Sequence, residues 1–374
     1  MKYSLAVLCA AMAVGVGGAH AKTFKWTSAS DIPTWDIHSQ NNALANGVHA
    51  AVYESLVYYN SKTFKPEPVL ATAWKQVTPT QLRLNLRTGV KFHDGSTFSA
   101  DDAVFSIERA MSKTSNFGIY AQGIDRVVKV DANTIDIFTK DPNPVLLNQL
   151  TELRMMSKAW AEKNNSTSPK DIKTQDETFA HRNANGTGPF MLKEWQPDQK
   201  IVLVKNAAWW GKSEGNVTEI VYTPVKAVAT RMAALLSGEV DLVLDPSPQD
   251  LPRVRSDASL KVIDGIENRT IFFGMDQFRD ELPGSNIKGK NPLKDRRVRQ
   301  ALYQGIDMST ITRVSLRGLG QATGALVAPQ VNGWTEAVHK RYPFDVEASK
   351  KLLAEAGYKD GFEVDFACPN NRYI

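Results

Sequence analysis

Between Pro66 and Met111 the chain passes from a strand period to a capped helix, and no other segment constrains the fold as much. Leu82, Leu84 and Leu86 alternate as a half-buried strand requires. Turns at Thr88-Gly89 and Asp94-Gly95 then punctuate a pair of short strands around Val90–Phe92. Ser99 stands at the N-cap of a helix running through Met111; Asp102 can reach back to the cap, and Asp101 complements the positive helix end. This is stiff scaffolding with no metal cluster, nucleophile triad or phosphate loop, so it points toward binding and away from catalysis.

At 374 residues the chain is too long for one ordinary core, and two or more domains are expected. Its first 21 residues read as an export signal. Lys2 precedes an apolar run, Leu5–Val16, that is too short to span a bilayer, and Ala19-His20-Ala21 puts small residues where a signal peptidase reads. Cleavage is expected after Ala21. Leu8, standing before Cys9, argues against a lipid anchor. The mature chain keeps only Cys368 and can form no internal disulfide, which for a large exported protein fits a bacterial periplasm. Acidic and basic residues are mixed along the chain, so there is no nucleic-acid footprint.

Strand and helix patterns alternate throughout, which makes the class α/β. Strands are expected at Thr23–Ala29, Val127–Val130, Thr134–Phe138, Lys200–Lys205, Val240–Leu244, Leu260–Ile263 and Thr270–Met275, with a further β segment opening at Gly186–Phe190. Helices are expected at Asn46–Val57, Ala227–Leu236, Asp250–Ser256, Asp295–Ile306 and Val346–Ala356. Asn164–Lys173 reads as a polar surface loop.

Candidate chemistry is sparse. No histidine pair has the spacing of a helical zinc site, and His93 beside Asp94-Gly95 reads as a hydrogen-bonded turn residue. Gly318-Leu319-Gly320 misses the dinucleotide pattern because Thr323 stands where the third glycine belongs. Arg296, Arg297 and Arg299 read as a solvated helix face paired with Asp295 and Asp307. Nothing supports an enzyme, a cofactor or a metal. Most of the aromatic residues belong to the core. Trp35 differs, since it follows a strand end in a loop containing Pro33, where either core packing or a cleft is open to it.

Several long stretches resemble family 5 solute-binding proteins, the group that includes the dipeptide and oligopeptide receptors of ABC importers. The resemblance rests on Tyr53–Val57, Pro68–Trp74, Leu86–Gly95, Gly186–Phe190, Asn206–Trp210, Arg231–Asp241, Asp295–Asp307 and Pro369–Ile374. It implies a two-lobed periplasmic-binding-protein-like fold (type II, large cluster with an extra subdomain). Lobe I would span 22–272 with a subdomain inserted at about 50–181, and 273–374 would be the first part of an incomplete second lobe. The crossing to that lobe is expected near Phe272–Phe278.

The resemblance implies a monomeric, non-enzymatic receptor that captures peptides and delivers them to an ABC permease. Nickel chelate, glutathione, an opine or an oligosaccharide are alternative solutes, and an exported hydrolase or chaperone is the alternative from another class. Thr34, Trp35, Met275 and Arg372 are the candidate ligand contacts. Arg372 would hold a ligand carboxylate, a surface arginine at a strand end being the competing reading. Family members run on past the point where this chain stops. The second lobe is therefore expected to be half built, leaving a chain that would not close on a ligand and would be poorly soluble or partly unfolded.

Overall fold

The computed structural model describes residues 22–368 apart from 172, 175, 176, 214, 266 and 332, so residues 1–21 and the Arg372 loop lie outside it. The chain divides into two compact units, one ending at Leu244 and the other beginning at Asp245.

The first unit holds two main sheets. β1 (Lys22–Ser28) pairs in parallel with both β10 (Val217–Pro224) and β11 (Leu242–Val243). β10 pairs antiparallel with β9 (Lys200–Lys205), and β9 with β8 (Phe190–Gln196), giving the order β11-β1-β10-β9-β8. Ile201, Leu203 and Tyr222 face a core shared with Ile32, Trp35 and Val48. The second sheet, β4 (Ala71–Thr78), β5 (Gln81–Leu86), β7 (Thr134–Thr139) and β6 (Ile124–Asp131), is antiparallel throughout. Leu82, Leu84 and Leu86 are all buried there, against a separate core drawn from residues 56–155. Helix α2 (Ala100–Met111) contributes Ala103, Ile107 and Ala110 to that core. The expected cap is present: the Asp102 carboxylate accepts from both the backbone N–H and the hydroxyl of Ser99, each at 2.9 Å.

The helix expected over Asn46–Val57 is a correction. Helix α1 runs from Ala43 to His49, with the Asn42 side chain accepting from Ala45 N–H at its N-cap. Val48, Val52 and Leu56 are all buried, so their spacing reports burial correctly. The carbonyls that a longer helix needs are taken by distant backbone. Ala51 O accepts from Phe190 N, Val52 O from Gly188 N and Glu54 O from Met155 N, and Val57 opens the short strand β2 (Val57–Asn60). β2 pairs with β3 (Lys65–Pro68). Val90–Phe92 likewise forms no pair of strands, only one bridge between Lys91 and Thr97.

In the second unit the helices form close to expectation, over Leu251–Ser256, Arg296–Gln304 and Val346–Glu355. A small cluster of Leu282, Leu293 and Val298 sits under the last two. The strands expected at Leu260–Ile263 and Thr270–Met275 do not form. Their alternating residues find no neighbouring strand among the described residues, and Ile263, Ile271, Phe272 and Phe273 stay exposed. A β pattern without a partner leaves its N–H and C=O groups to water.

Candidate functional site

Four of the stretches that carry the family resemblance meet at one joint in the first unit. Glu54 accepts hydrogen bonds from both neighbouring indoles, Trp209 Nε1–H at 3.2 Å and Trp210 Nε1–H at 2.9 Å. The Arg87 guanidinium lies 4.0 Å from the centre of the Trp210 ring, a cation–π contact, and its Nε donates to Val69 O. Burial raises the Glu54 pKa, and the indole donors oppose that rise.

Beside it, His93 faces two backbone groups, with Nε2 3.0 Å from Gly188 O and Nδ1 accepting from Gly186 N–H at 3.3 Å. A carbonyl only accepts, so Nε2 carries the proton. Asp94 and Asn185 exchange two further bonds, from Asp94 N–H to Asn185 Oδ1 and from Asn185 Nδ2 to Asp94 Oδ2. Gly186 and Gly188 lie so close to Val52 that a Cβ at Gly186 would overlap the Val52 carbonyl, and one at Gly188 would stand 2.7 Å from its oxygen. The His93 expectation therefore holds, and these residues join segments of the scaffold.

A second polar cluster lies under the loop between β1 and α1. Asp36 grips Arg109 through two bonds, to Nη1 at 2.7 Å and Nη2 at 2.6 Å, with both side chains fully enclosed. Arg109 Nε also donates to Ser166 O. Burial alone would raise the Asp36 pKa, but the Arg109 guanidinium outweighs it and holds the carboxyl below its ordinary value. His38 Nδ1 lies 3.2 Å from Arg109 Nη1; because arginine only donates, that nitrogen is the unprotonated one. Burial, with the Arg109 charge, pushes His38 down to about 3. Burial, with the charge of Arg154, pushes His49 down to about 4, and its Nε2 bonds to Thr34 O at 2.9 Å.

Two of the expected ligand contacts belong to this cluster. Thr34 is buried, its hydroxyl accepting from Asp36 N–H and its carbonyl bonded to His49. Trp35 is wholly enclosed, its ring 5.4 Å from that of His49 and its backbone N–H donating to His181 O. Its indole Nε1 is buried with no partner among the described residues. Met275 lies in the second unit, half-buried against Leu282, Leu293 and Val298. Arg372 is outside the described residues.

Sequence reading passed over two other features. An apolar cavity of ≈180 Å³ opens between α1 and the five-stranded sheet, lined by Phe24, Trp26, Val48, Leu203, Ile220 and Tyr222 among others. Arg154 is a partly buried cation whose Nη2 donates to Asn46 O at 2.6 Å. No sequence signal marks either one.

The profile described as "Bacterial extracellular solute-binding proteins, family 5 Middle" matches residues 65–373. Heme-binding protein A of Haemophilus influenzae is 30% identical over 344 residues, covering 86% of this chain and 59% of the relative. The dipeptide-binding protein of Escherichia coli is 27% identical over 350 residues, covering 86% and 61%. A solved structure of the ABC transporter-associated periplasmic binding protein DppA from Helicobacter pylori, in complex with the peptide STSA, shares the fold. Its TM-score is 0.72 at 24% identity, over 91% of this chain and 67% of that one. The chain thus spans about three-fifths of the length of these two curated relatives.

Proposed function

Since the chain belongs to the bacterial extracellular solute-binding proteins of family 5, we propose that it is the periplasmic solute-binding component of an ABC importer. It captures a peptide and releases it to a membrane permease whose ATPase supplies the energy. The observation carrying this reading is similarity to a dipeptide-binding protein across 86% of the chain. The two polar clusters agree with it. His93 and Asp36 spend their hydrogen-bonding capacity on the fold, as expected of a receptor that performs no covalent step. Ligand then acts by shifting a conformational population.

A second reading, haem as the solute, is favoured by the 30% identity to heme-binding protein A. Glutathione, opine, nickel-chelate or sugar binding would use the same mechanism with a different pocket. The contact roles of Trp35, Met275 and Arg372 remain proposals. The unpartnered indole N–H of Trp35 supports its role, because a buried donor needs an acceptor. Thr34, with both polar atoms engaged, would act by holding that loop. An inserted subdomain is supported by the separate core of residues 56–155.

Thermal melting of the protein purified from the periplasm tests the choice of solute. A dipeptide at a hundred times its Kd stabilises the bound form by about 2.7 kcal/mol, enough to raise the melting temperature measurably. A rise with haem and none with dipeptides moves the assignment to the second reading.

A further inference from the structure

Asparagine is followed by glycine at Asn46, Asn185 and Asn332. Such a pair is chemically unstable, because glycine has no Cβ to shield its backbone nitrogen from the asparagine side chain before it. In an open chain that nitrogen attacks Cγ. The glycine N–Cγ bond forms, the Cγ–Nδ2 bond breaks, the glycine nitrogen gives up its proton and ammonia leaves. Water then opens the cyclic imide to aspartate or isoaspartate. Asn46 lies within helix α1, and Asn332 is outside the described residues. Asn185 is built into the joint at His93.

There every group the reaction needs is already engaged. Asn185 is only 2% exposed. Its Oδ1 accepts from Asp94 N–H at 3.1 Å and its Nδ2 donates to Asp94 Oδ2 at 3.0 Å, so one residue fixes both ends of the amide. The attacking nitrogen is occupied too, since Gly186 N–H donates to His93 Nδ1 at 3.3 Å. On either side the backbone is pinned, Asn185 N–H by the Tyr53 hydroxyl and Gly186 O by His93 N–H. Cyclisation must make Cγ tetrahedral and shed Nδ2, and a planar amide held at both ends resists that. The opposite role is weaker: Asp94 N–H could polarise the amide carbonyl and His93 could take the Gly186 proton, but burial lowers the His93 pKa and makes it a poor base.

The products do not fit the joint. Aspartate at 185 would set a carboxylate against Asp94 Oδ2, where an N–H now donates. Isoaspartate would add a main-chain carbon beside Gly186, where even a Cβ overlaps the Val52 carbonyl.

We infer that Asn185 is a latent self-modification site, silent while Asp94 and His93 hold it and converted irreversibly once the joint opens. Local opening of this part of the scaffold thus leaves a permanent chemical mark, whichever solute the chain binds.

Trypsin releases Asn185 within the peptide Asn183–Lys193, and fragmentation separates an acid at 185 from one at 183. The full chain is incubated in mildly alkaline buffer with and without concentrated urea, and this peptide is followed by mass spectrometry. Conversion at Asn185 should be at least about tenfold slower in the folded chain than in urea. Asp94→Ala, which removes the side-chain acceptor, should speed conversion in buffer, and Asp94→Asn, which keeps an acceptor oxygen, should restore the slow rate. A folded rate equal to the urea rate overturns the inference, and a faster one overturns it by making His93 the base. An Asp94→Ala chain that melts cooperatively yet converts as slowly as the unmutated one also overturns it. If Asp94→Ala does not fold, the unmutated chain in buffer and in urea decides alone. Asn185→Asp should melt below the unmutated chain, and an equal melting temperature would overturn the irreversibility.

Discussion

Asp36 and Arg109, 73 positions apart in sequence, meet in a fully enclosed bidentate ion pair that ties the loop after β1 to helix α2. Removing one partner strands a buried charge. Asp36→Ala and Arg109→Ala should each cost about 3–5 kcal/mol. The apolar double replacement Asp36→Leu with Arg109→Met should cost less than the two single changes added together. Urea unfolding of the three variants checks this, and strict additivity would mean that the pair is not coupled.

His38 and His49 make stability depend on pH in a defined window. Their folded values are about 3 and about 4, against 6.5 for the free side chain. Each therefore binds a proton in the unfolded chain before it does in the folded one. The stability they protect is complete above pH 6.5 and falls as pH drops toward the folded values. Between about pH 6 and 4 each should contribute a slope approaching about 1.4 kcal/mol per pH unit. His38→Gln and His49→Gln should flatten that slope in denaturant melts at several pH values.

Gly186 and Gly188 leave no room for a side chain against Val52. Gly186→Ala and Gly188→Ala should each cost more than about 4 kcal/mol or abolish soluble expression. Gly215→Ala, with open space around it, should be nearly silent in the same melting assay.

The α2 cap is graded. Ser99→Ala should cost about 1 kcal/mol. Asp102→Ala should cost more, about 2–3 kcal/mol, since its carboxylate also accepts from Lys158 N–H at 2.9 Å. Equal losses in chemical denaturation would show that the Lys158 bond contributes nothing.

What was legible in the sequence was what neighbours in the chain decide. The Ser99–Asp102 cap, the strands expected at Val127–Val130 and Thr134–Phe138, and strand β9 at Lys200–Lys205 form as expected. The short α1 was not legible, because its end is set by Gly188 and Phe190, more than a hundred residues away. Nor was the bond from the Arg154 side chain to Asn46 O, which crosses 108 positions. The strand patterns at 260–263 and 270–275 mark β propensity, and a strand also needs a neighbour to pair with. Membership of the family was legible because several motifs recur in order. Beyond a hydrogen-bonded His93, the chemistry of the motifs at the Glu54 and His93 joint went unread, since it appears only where they meet.

Native mass spectrometry of the protein recovered from the periplasm tests the central claim most directly. Solute capture predicts one small molecule per chain, released as collision energy rises and rebound on adding it back. A bare chain that takes up neither peptide nor haem, or a recovered molecule that is chemically converted on incubation, would contradict it.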